Sequence, residues 1–183
     1  FGAPDVHTRL VHGPYSGVNE ASIGSAWGMS SDGVRLAVGD AALNRVLLWN
    51  TIPTQMPKRG PIPANRVWGQ NSFLTSATDN GSSDPTALGI RAAKVFLDRT
   101  PSTEFYITDS QNNRVLVFNN VPGGPAVAPS LVVGQAAFNT IAPACTATGL
   151  YGPRDVTRDT NFLWVSDTAC HRVLGYPLPI AGN

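Results

Sequence analysis

The chain has 183 residues, of which 42% are hydrophobic and 14% are charged, and its formal net charge is +1. This length and hydrophobic content suit one domain with a real core. Nucleic acids and anionic membranes both demand a concentrated basic face, and the sequence has no cluster of Lys or Arg. No apolar run approaches the ~20 residues of a membrane span. We therefore expect no nucleic-acid partner and no membrane span.

Strand-like segments recur in the same order at about 26–70, 88–135 and 150–178. Each group contains a strand that ends in Asp, then a strand that begins with Arg-Val-Leu. The Asp-ending strands are LAVGD (36–40), FYITD (105–109) and LWVSD (163–167), and the Arg-Val-Leu strands are RVLLW (45–49), RVLVF (114–118) and RVLGY (172–176). A further strand follows in RVWGQNSF (66–73) and LVVGQAAF (131–138), and RLVHGPY (9–15) is a weaker echo of it.

Each group predicts a small sheet of four short strands, separated by Gly, Pro, Asn and Asp. Strands such as FYITD are apolar on both faces, which is expected where a sheet lies between two similar sheets. Four-stranded antiparallel sheets repeated around an axis form a β-propeller. The sequence therefore predicts an all-β fold made of about three propeller blades.

The segments 95–118 and 152–176 resemble NHL repeats, the propeller blades that end in Asp-x-x-Asn-Asn-Arg-Val. Asp109, Asn112, Asn113, Arg114 and Val115 match this motif closely. The first group departs from it with Ala42 and Leu43, and the third with Asp155 and with Cys170-His171 in place of Asn-Asn. The resemblance implies blades of a six-bladed ring. Members of the family range from interaction scaffolds to lyases and hydrolases, so the fold does not supply the function.

The recurring polar residues predict a structural role in the turn between two strands. We expect the Asp to end one strand and the Arg to begin the next, with Asp and Asn satisfying backbone N–H groups in the turn. The Arg returns to the Asp carboxylate or stacks on the neighbouring blade. The residues of this repeated motif are Asp40, Asn44, Arg45, Asp109, Asn113, Arg114, Asp167 and Arg172.

Three blades do not close a ring, because propellers typically have about 4–8 blades. The two ends of such a stack would leave two apolar faces bare. We expect either two copies of the chain in one six-bladed ring or the remainder of the same propeller. The third group has no fourth strand of its own, and the segment Thr8–Gly13 is predicted to supply one beside Arg172–Tyr176 of a neighbouring copy.

The function predicted from the sequence is a non-catalytic binding or assembly module that presents loops to a protein or glycan. The long polar connections 71–88 and 136–150 are the candidate binding surface. Its candidate residues are Asn71, Thr75, Asp79, Asn80, Asn139, Thr140 and His171.

The alternative is a metal-dependent lyase or hydrolase with its site in the axial channel, as the resemblance implies for one branch of the family. A catalytic zinc site uses three protein ligands. The chain has three histidines, His7, His12 and His171, and only His171 falls in a predicted turn. We therefore predict no catalytic residues and no cofactor, and a structural or catalytic Ca or Zn ion is left open.

Cys145 and Cys170 fall on the same face of a propeller, in a loop and a turn. A disulfide between them is geometrically reasonable, and two free buried thiols are the alternative. The low Lys content, the many small polar residues and this cysteine pair favour a secreted, periplasmic or cell-surface protein.

The core is predicted from the same strands. Val46, Ile107, Val115, Val117 and Val165 should be buried between blades. Trp68 and Trp164 are expected in inter-blade packing. Trp27 lies near the innermost strand, where it either packs in the core or lines the channel, and the core position is favoured.

Overall fold

The computed structural model describes residues 17–52, 62–83, 86–99 and 103–180. Eleven β-strands occur within these ranges. They are β1 (Ala26–Ser31), β2 (Leu36–Asp40), β3 (Arg45–Trp49), β4 (Arg66–Trp68), β5 (Ala93–Leu97), β6 (Phe105–Asp109), β7 (Arg114–Phe118), β8 (Leu131–Val133), β9 (Pro153–Arg158), β10 (Phe162–Asp167) and β11 (Arg172–Pro177). The helical segments of the described residues are 3₁₀ turns of three or four residues, and none could cross a membrane.

The strands form three antiparallel sheets in which chain neighbours pair with each other. The first sheet has the order β1-β2-β3-β4, the second β5-β6-β7-β8 and the third β9-β10-β11. The repeated strand groups of the sequence are therefore found as sheets. The third sheet has no fourth strand among the described residues, so the outer edge of β11 carries no strand there. The structure does not place the segment Thr8–Gly13, which lies outside the described residues.

The sheets stack face to face through alternating side chains. Ala37, Val46, Leu48 and Trp68 of the first sheet pack on the second, while Tyr106, Val115, Val117 and Val133 of the second pack on the third. All five valine and isoleucine side chains predicted in the core are at most 3% exposed. Trp68 is fully buried, and its ring meets that of Phe118 edge to face at 5.0 Å. Its inter-sheet position is confirmed.

The outer face of the first sheet is mostly covered. Leu36, Val38, Leu47, Trp49 and Val67 form a buried cluster there, against which Ile23, Ile52, Ile62 and Phe73 pack. The prediction that both end faces are bare is wrong for most of this face, because apolar side chains from the chain's own loops lie over it. Near β1 this face is open in the described part of the chain, and Met29 is 69% exposed.

In the part of the chain that the structure describes, the outer face of the third sheet is open. Trp164 and Val173 are 37% and 64% exposed, and the Trp164 ring lies over Gly175. We call Trp164, Ser166, Val173 and Gly175 the open face. Among the described residues no further sheet covers Trp164, so its predicted inter-blade packing stays a prediction. Trp27 is also on the surface rather than in the core.

Candidate functional site

The turns that carry the repeated motif gather on one side of the sheets, together with the long loops. We call this side, marked by the 3₁₀ turns Ala41–Leu43, Ser110–Asn112 and Thr168–Cys170, the turn side. Each of these turns begins directly after the Asp that ends a strand, and the next strand begins with the motif Arg. The sequence prediction of where the strands end is therefore confirmed.

Each motif Asp binds backbone on one oxygen and its Arg on the other. In the second sheet, Asp109 Oδ1 accepts from the Arg91 N–H at 2.8 Å, and Oδ2 accepts from Arg114 Nε at 2.7 Å. In the third sheet, Asp167 does the same with the Tyr151 N–H at 2.6 Å and with Arg172 Nε at 2.8 Å. Asp40 accepts from the N–H groups of Gly24 and Ser25 and from Arg45. The pair thus ties the start of the first strand of each sheet to the second and third strands of that sheet.

The guanidinium groups also hold the loops that lead into and out of each sheet. Arg114 donates through Nη2 to the carbonyls of Thr86 and Gly89 and through Nη1 to that of Phe138. Arg45 donates in the same way to the carbonyls of Ser22 and Phe73. These contacts give the motif a structural role in both complete sheets.

The residue before each Arg has a left-handed backbone. Asn44, Asn113 and His171 have φ values of 48°, 53° and 53°. Asn tolerates this region better than most residues because its short side-chain amide can form local hydrogen bonds. The carbonyls of Asn44 and Asn113 accept hydrogen bonds from the Nε2 atoms of Gln70 and Gln135 at 2.9 and 3.0 Å. These glutamines follow β4 and β8, and each also donates to a loop carbonyl.

Burial dominates the electrostatics of the second motif. It raises the pKa of Asp109 to about 6, against the opposing effect of Arg114, the Arg91 N–H and the Asn112 amide. The Asp109 side chain is fully buried. A group with no exposed surface and a complete set of donors holds structure and is not available to a ligand.

The candidate residues of loop 71–88 are used mainly within the loop. Asp79 is fully buried, and its carboxylate accepts from Arg91 Nε at 2.5 Å and from Asn112 Nδ2 at 2.6 Å. It therefore fixes the loop and offers no surface to a ligand in this conformation. Asn71 and Asn80 bond to each other, and the Thr75 hydroxyl bonds to the Ser72 carbonyl.

The second loop borders a depression of about 410 Å³. It is lined by small residues, among them Gly134, Thr140, Ala144 and Thr146, and by Gln135. The Thr140 hydroxyl bonds to the Ala137 carbonyl at 2.9 Å, and Asn139 is exposed. His171 is exposed on the same turn side, beside Arg172.

Cys145 and Cys170 form a disulfide between this loop and the third 3₁₀ turn. The disulfide occupies the position that corresponds to the polar contacts of Asp79 with Arg91 and Asn112 at the second sheet. The N–H of Asp79 bonds to the Ile90 carbonyl, and that of Ala144 bonds to the Leu150 carbonyl. Asn112 and Cys170 each lie three residues after the motif Asp. The chain therefore ties loop to turn by Asp79–Asn112 in one repeat and by the disulfide in the next.

The first strand of each sheet carries a charged residue or an aromatic ring in contact with its neighbour. The Arg154 guanidinium lies 4.9 Å from the centre of the Trp27 ring, and Lys94 Nζ lies 3.3 Å from an Asp155 oxygen. No group of three or more potential metal-binding side chains occurs among the described residues. His7 and His12 lie outside those residues.

No protein-family model matches the sequence, and no curated protein matches it significantly. The NHL resemblance is therefore still a prediction from the repeated motif.

Sequence reasoning missed the roles of Gln70, Gln135 and Arg91. The two glutamines were visible as a repeated Gly-Gln after the fourth strand, and this repetition was the signal for a shared contact. Arg91 gave no such signal, because its partner Asp79 stands in a loop of irregular sequence.

Proposed function

We propose that this chain is a segment of an NHL-type β-propeller that acts as a non-catalytic binding and assembly module. The observation that carries the proposal is the open face of the third sheet. The equivalent faces of the first and second sheets are each covered by the following sheet, and their side chains are buried. Exposed apolar side chains on a face that is covered in the sister sheets, here Trp164 and Val173, favour an interaction surface.

The partner that fits this face is another sheet of the same kind. It comes either from a second copy, giving a ring of two chains, or from the remainder of the same propeller. Exposed Met29 at the opposite end of the stack is in line with continuation in that direction. The covered cluster beside Met29 means that a second copy must rearrange the loop residues Ile23, Ile52, Ile62 and Phe73 to pack there.

The turn side is proposed to present the loops 71–88 and 136–150 to a protein or glycan. Asn139, Thr140 and His171 are the candidate contacts, since they lie near the depression or beside it. The disulfide between Cys145 and Cys170 suits a secreted, periplasmic or cell-surface setting, because such bonds persist in oxidising compartments.

Sedimentation velocity at several concentrations tests the assembly. We expect the chain to self-associate, or to bind a hydrophobic dye at the open face if its partner is the rest of a longer propeller. Deleting residues 1–13 should weaken the self-association if Thr8–Gly13 completes the third sheet of a neighbour. A stable monomer that binds no dye, and that melts unchanged after the deletion, would contradict the proposal.

A further inference from the structure

The outer edge of β11 has no fourth strand paired to it among the described residues, whereas the outer edges of β3 and β7 do. In the first sheet, Val46, Leu47 and Leu48 pair with Trp68, Val67 and Arg66 of β4. In the second, Val115, Leu116 and Val117 pair with Val133, Val132 and Leu131 of β8. The equivalent residues of β11 are Val173, Leu174 and Gly175, and no described strand pairs with them on that side.

Two polar groups next to this edge also lack the contacts of their equivalents. Among the described residues, nothing donates to the carbonyl of His171, whereas Asn44 and Asn113 receive their glutamine amides there. Arg172 binds the Thr146 and Gly149 carbonyls through Nη2. The Nη1 atoms of Arg45 and Arg114 donate to the carbonyls of Phe73 and Phe138. No carbonyl of the described chain accepts from Arg172 Nη1 in the same way. Its side chain is 26% exposed, and those of Arg45 and Arg114 are 0% exposed.

The missing contacts specify the segment that would supply them. Gly69 and Gly134 follow the outer strands with φ values of 86° and 90°, and a Cβ there would lie 2.8 and 2.6 Å from Ile90 and Leu150. Only glycine fits such a position. The glutamine comes next, and the carbonyl that binds Arg Nη1 stands three residues later, at Phe73 or Phe138. The required pattern is thus Val-apolar-Gly-Gln, followed by a short loop.

We infer that the edge of β11, with His171 and Arg172, is a docking site for an extended segment of the pattern Val-apolar-Gly-Gln. The segment lies antiparallel to Val173–Gly175, its glutamine amide donates to the His171 carbonyl, and the carbonyl three residues later accepts from Arg172 Nη1. This inference rests on the proposed function and names the chemistry of the partner. The segment Thr8–Gly13 meets it only in part, because His12 and Pro14 stand where the pattern has an apolar residue and Gln.

The test appends such a segment to the full chain. Residues 129–142 carry the pattern and the loop, and a flexible Gly/Ser linker of about 15 residues, spanning roughly 20 Å, would join them to the C-terminus. Tethering gives the segment a high effective concentration, so that weak pairing is still detected. The matched control is the same fusion with Gln135→Glu in the appended copy only. A second control appends residues 8–15.

Hydrogen exchange of the β11 amides is the readout. We expect exchange to slow by about tenfold or more with the Gln segment, less with residues 8–15, and least with the Glu segment, because a carboxylate cannot donate to a carbonyl. Val173→Asp should abolish the protection, and Val34→Asp should leave it intact. Val34 is a fair control, since it is 62% exposed, close to the 64% of Val173, and lies in the first sheet's β1–β2 turn.

Equal protection by the Gln and Glu segments, or protection by neither, would overturn the inference. Self-association in the sedimentation experiment together with no protection of β11 by the Gln segment would overturn it too, while leaving the proposed assembly function in place. Stronger protection by residues 8–15 than by the Gln segment would assign the edge to the chain's own N-terminal strand and refute the glutamine requirement.

Discussion

Arg45, Arg114 and Arg172 occupy equivalent positions, and their surroundings differ in one respect. The first two are enclosed and bind carbonyls on both sides of their sheet. Arg172 binds its Asp and one loop, and a quarter of its side chain is exposed. The contribution of each motif Arg to the free energy of unfolding therefore depends on whether a fourth strand and its loop enclose it.

Replacing Arg114 by Met should cost more stability than replacing Arg172 by Met. Arg114→Met leaves the fully buried Asp109 carboxylate without its cation, which costs about 3–5 kcal/mol. Arg172→Met also strands a buried carboxylate, Asp167, but water reaches the guanidinium side, and we expect a loss of about 1–2 kcal/mol. Urea denaturation of the two variants measures the difference.

Arg35→Met is the control for the loss of any ion pair. Its partner Asp32 lies in a hairpin turn, is itself partly exposed and keeps the Val34 and Arg35 N–H groups as donors, so we expect a change of roughly 0.5 kcal/mol. Equal losses for Arg114→Met and Arg172→Met would show that enclosure by the fourth strand and its loop contributes nothing.

The strands could be predicted from the sequence because the repeat reports them three times. Asp40, Asp109 and Asp167 mark strand ends independently, and each supports the assignment of the others. The loop contacts have no such redundancy. Asp79 was assigned to a binding surface because it stands in a polar loop, and its burial depends on Arg91 and Asn112, which come from the second sheet.

The two loop-to-turn connections are alternative solutions of one problem. In the second sheet, Asp79 bonds Asn112 and Arg91. In the third, Ala144, Cys170 and Tyr151 stand at these positions, and the disulfide makes the connection instead. Sequence reasoning found the cysteine pair. The equivalence needed the structure, because the loops differ in length and composition.

The loss of stability on breaking the disulfide should be partly recovered when the Asp79–Asn112 contact is introduced at the equivalent positions of the third sheet. Cys145→Ser with Cys170→Ser should lower the unfolding free energy by about 3 kcal/mol, because a loop of 25 residues is no longer closed in the unfolded chain. Ala144→Asp with Cys145→Asn and Cys170→Asn reproduces Asp79, Asn80 and Asn112. We expect this triple variant to be more stable than the double variant by about 1 kcal/mol.

Chemical denaturation of the oxidised parent and the two variants measures both effects. Since both variants lack the bridge, the loop-closure effect is absent from their difference, which reports the contact between the new side chains at 144 and 170 together with the exchange of Ser for Asn at 145 and 170. A triple variant no more stable than the double variant would show that the two connections are not interchangeable.

At the scale of the molecule, a side chain's environment depends on its place in the stack. Tyr106 and Trp164 are equivalent in the repeat, yet Tyr106 is fully buried and Trp164 is not. The sequence of one repeat cannot show whether another sheet follows it. The same limit applies to the first sheet, whose outer face is covered by loop side chains that the repeat does not contain.

Val115 and Val173 provide a matched test of this difference. Both follow the motif Arg by one residue, and both project from the same face of their sheets, but Val115 is fully buried and Val173 is 64% exposed. Val115→Asp should prevent folding, since a buried unpaired carboxylate costs several kcal/mol. Val173→Asp should leave the unfolding free energy of the isolated chain within about 0.5 kcal/mol of the parent value.

The Val173→Asp variant should also reduce self-association measured by sedimentation, because it puts a charge on the open face that a further sheet would cover. Circular dichroism melts of Val115→Asp and Val173→Asp measure the difference in their stability. If Val173→Asp unfolds the isolated chain as Val115→Asp does, Val173 is already enclosed in solution, and the third sheet is not the open end of the stack.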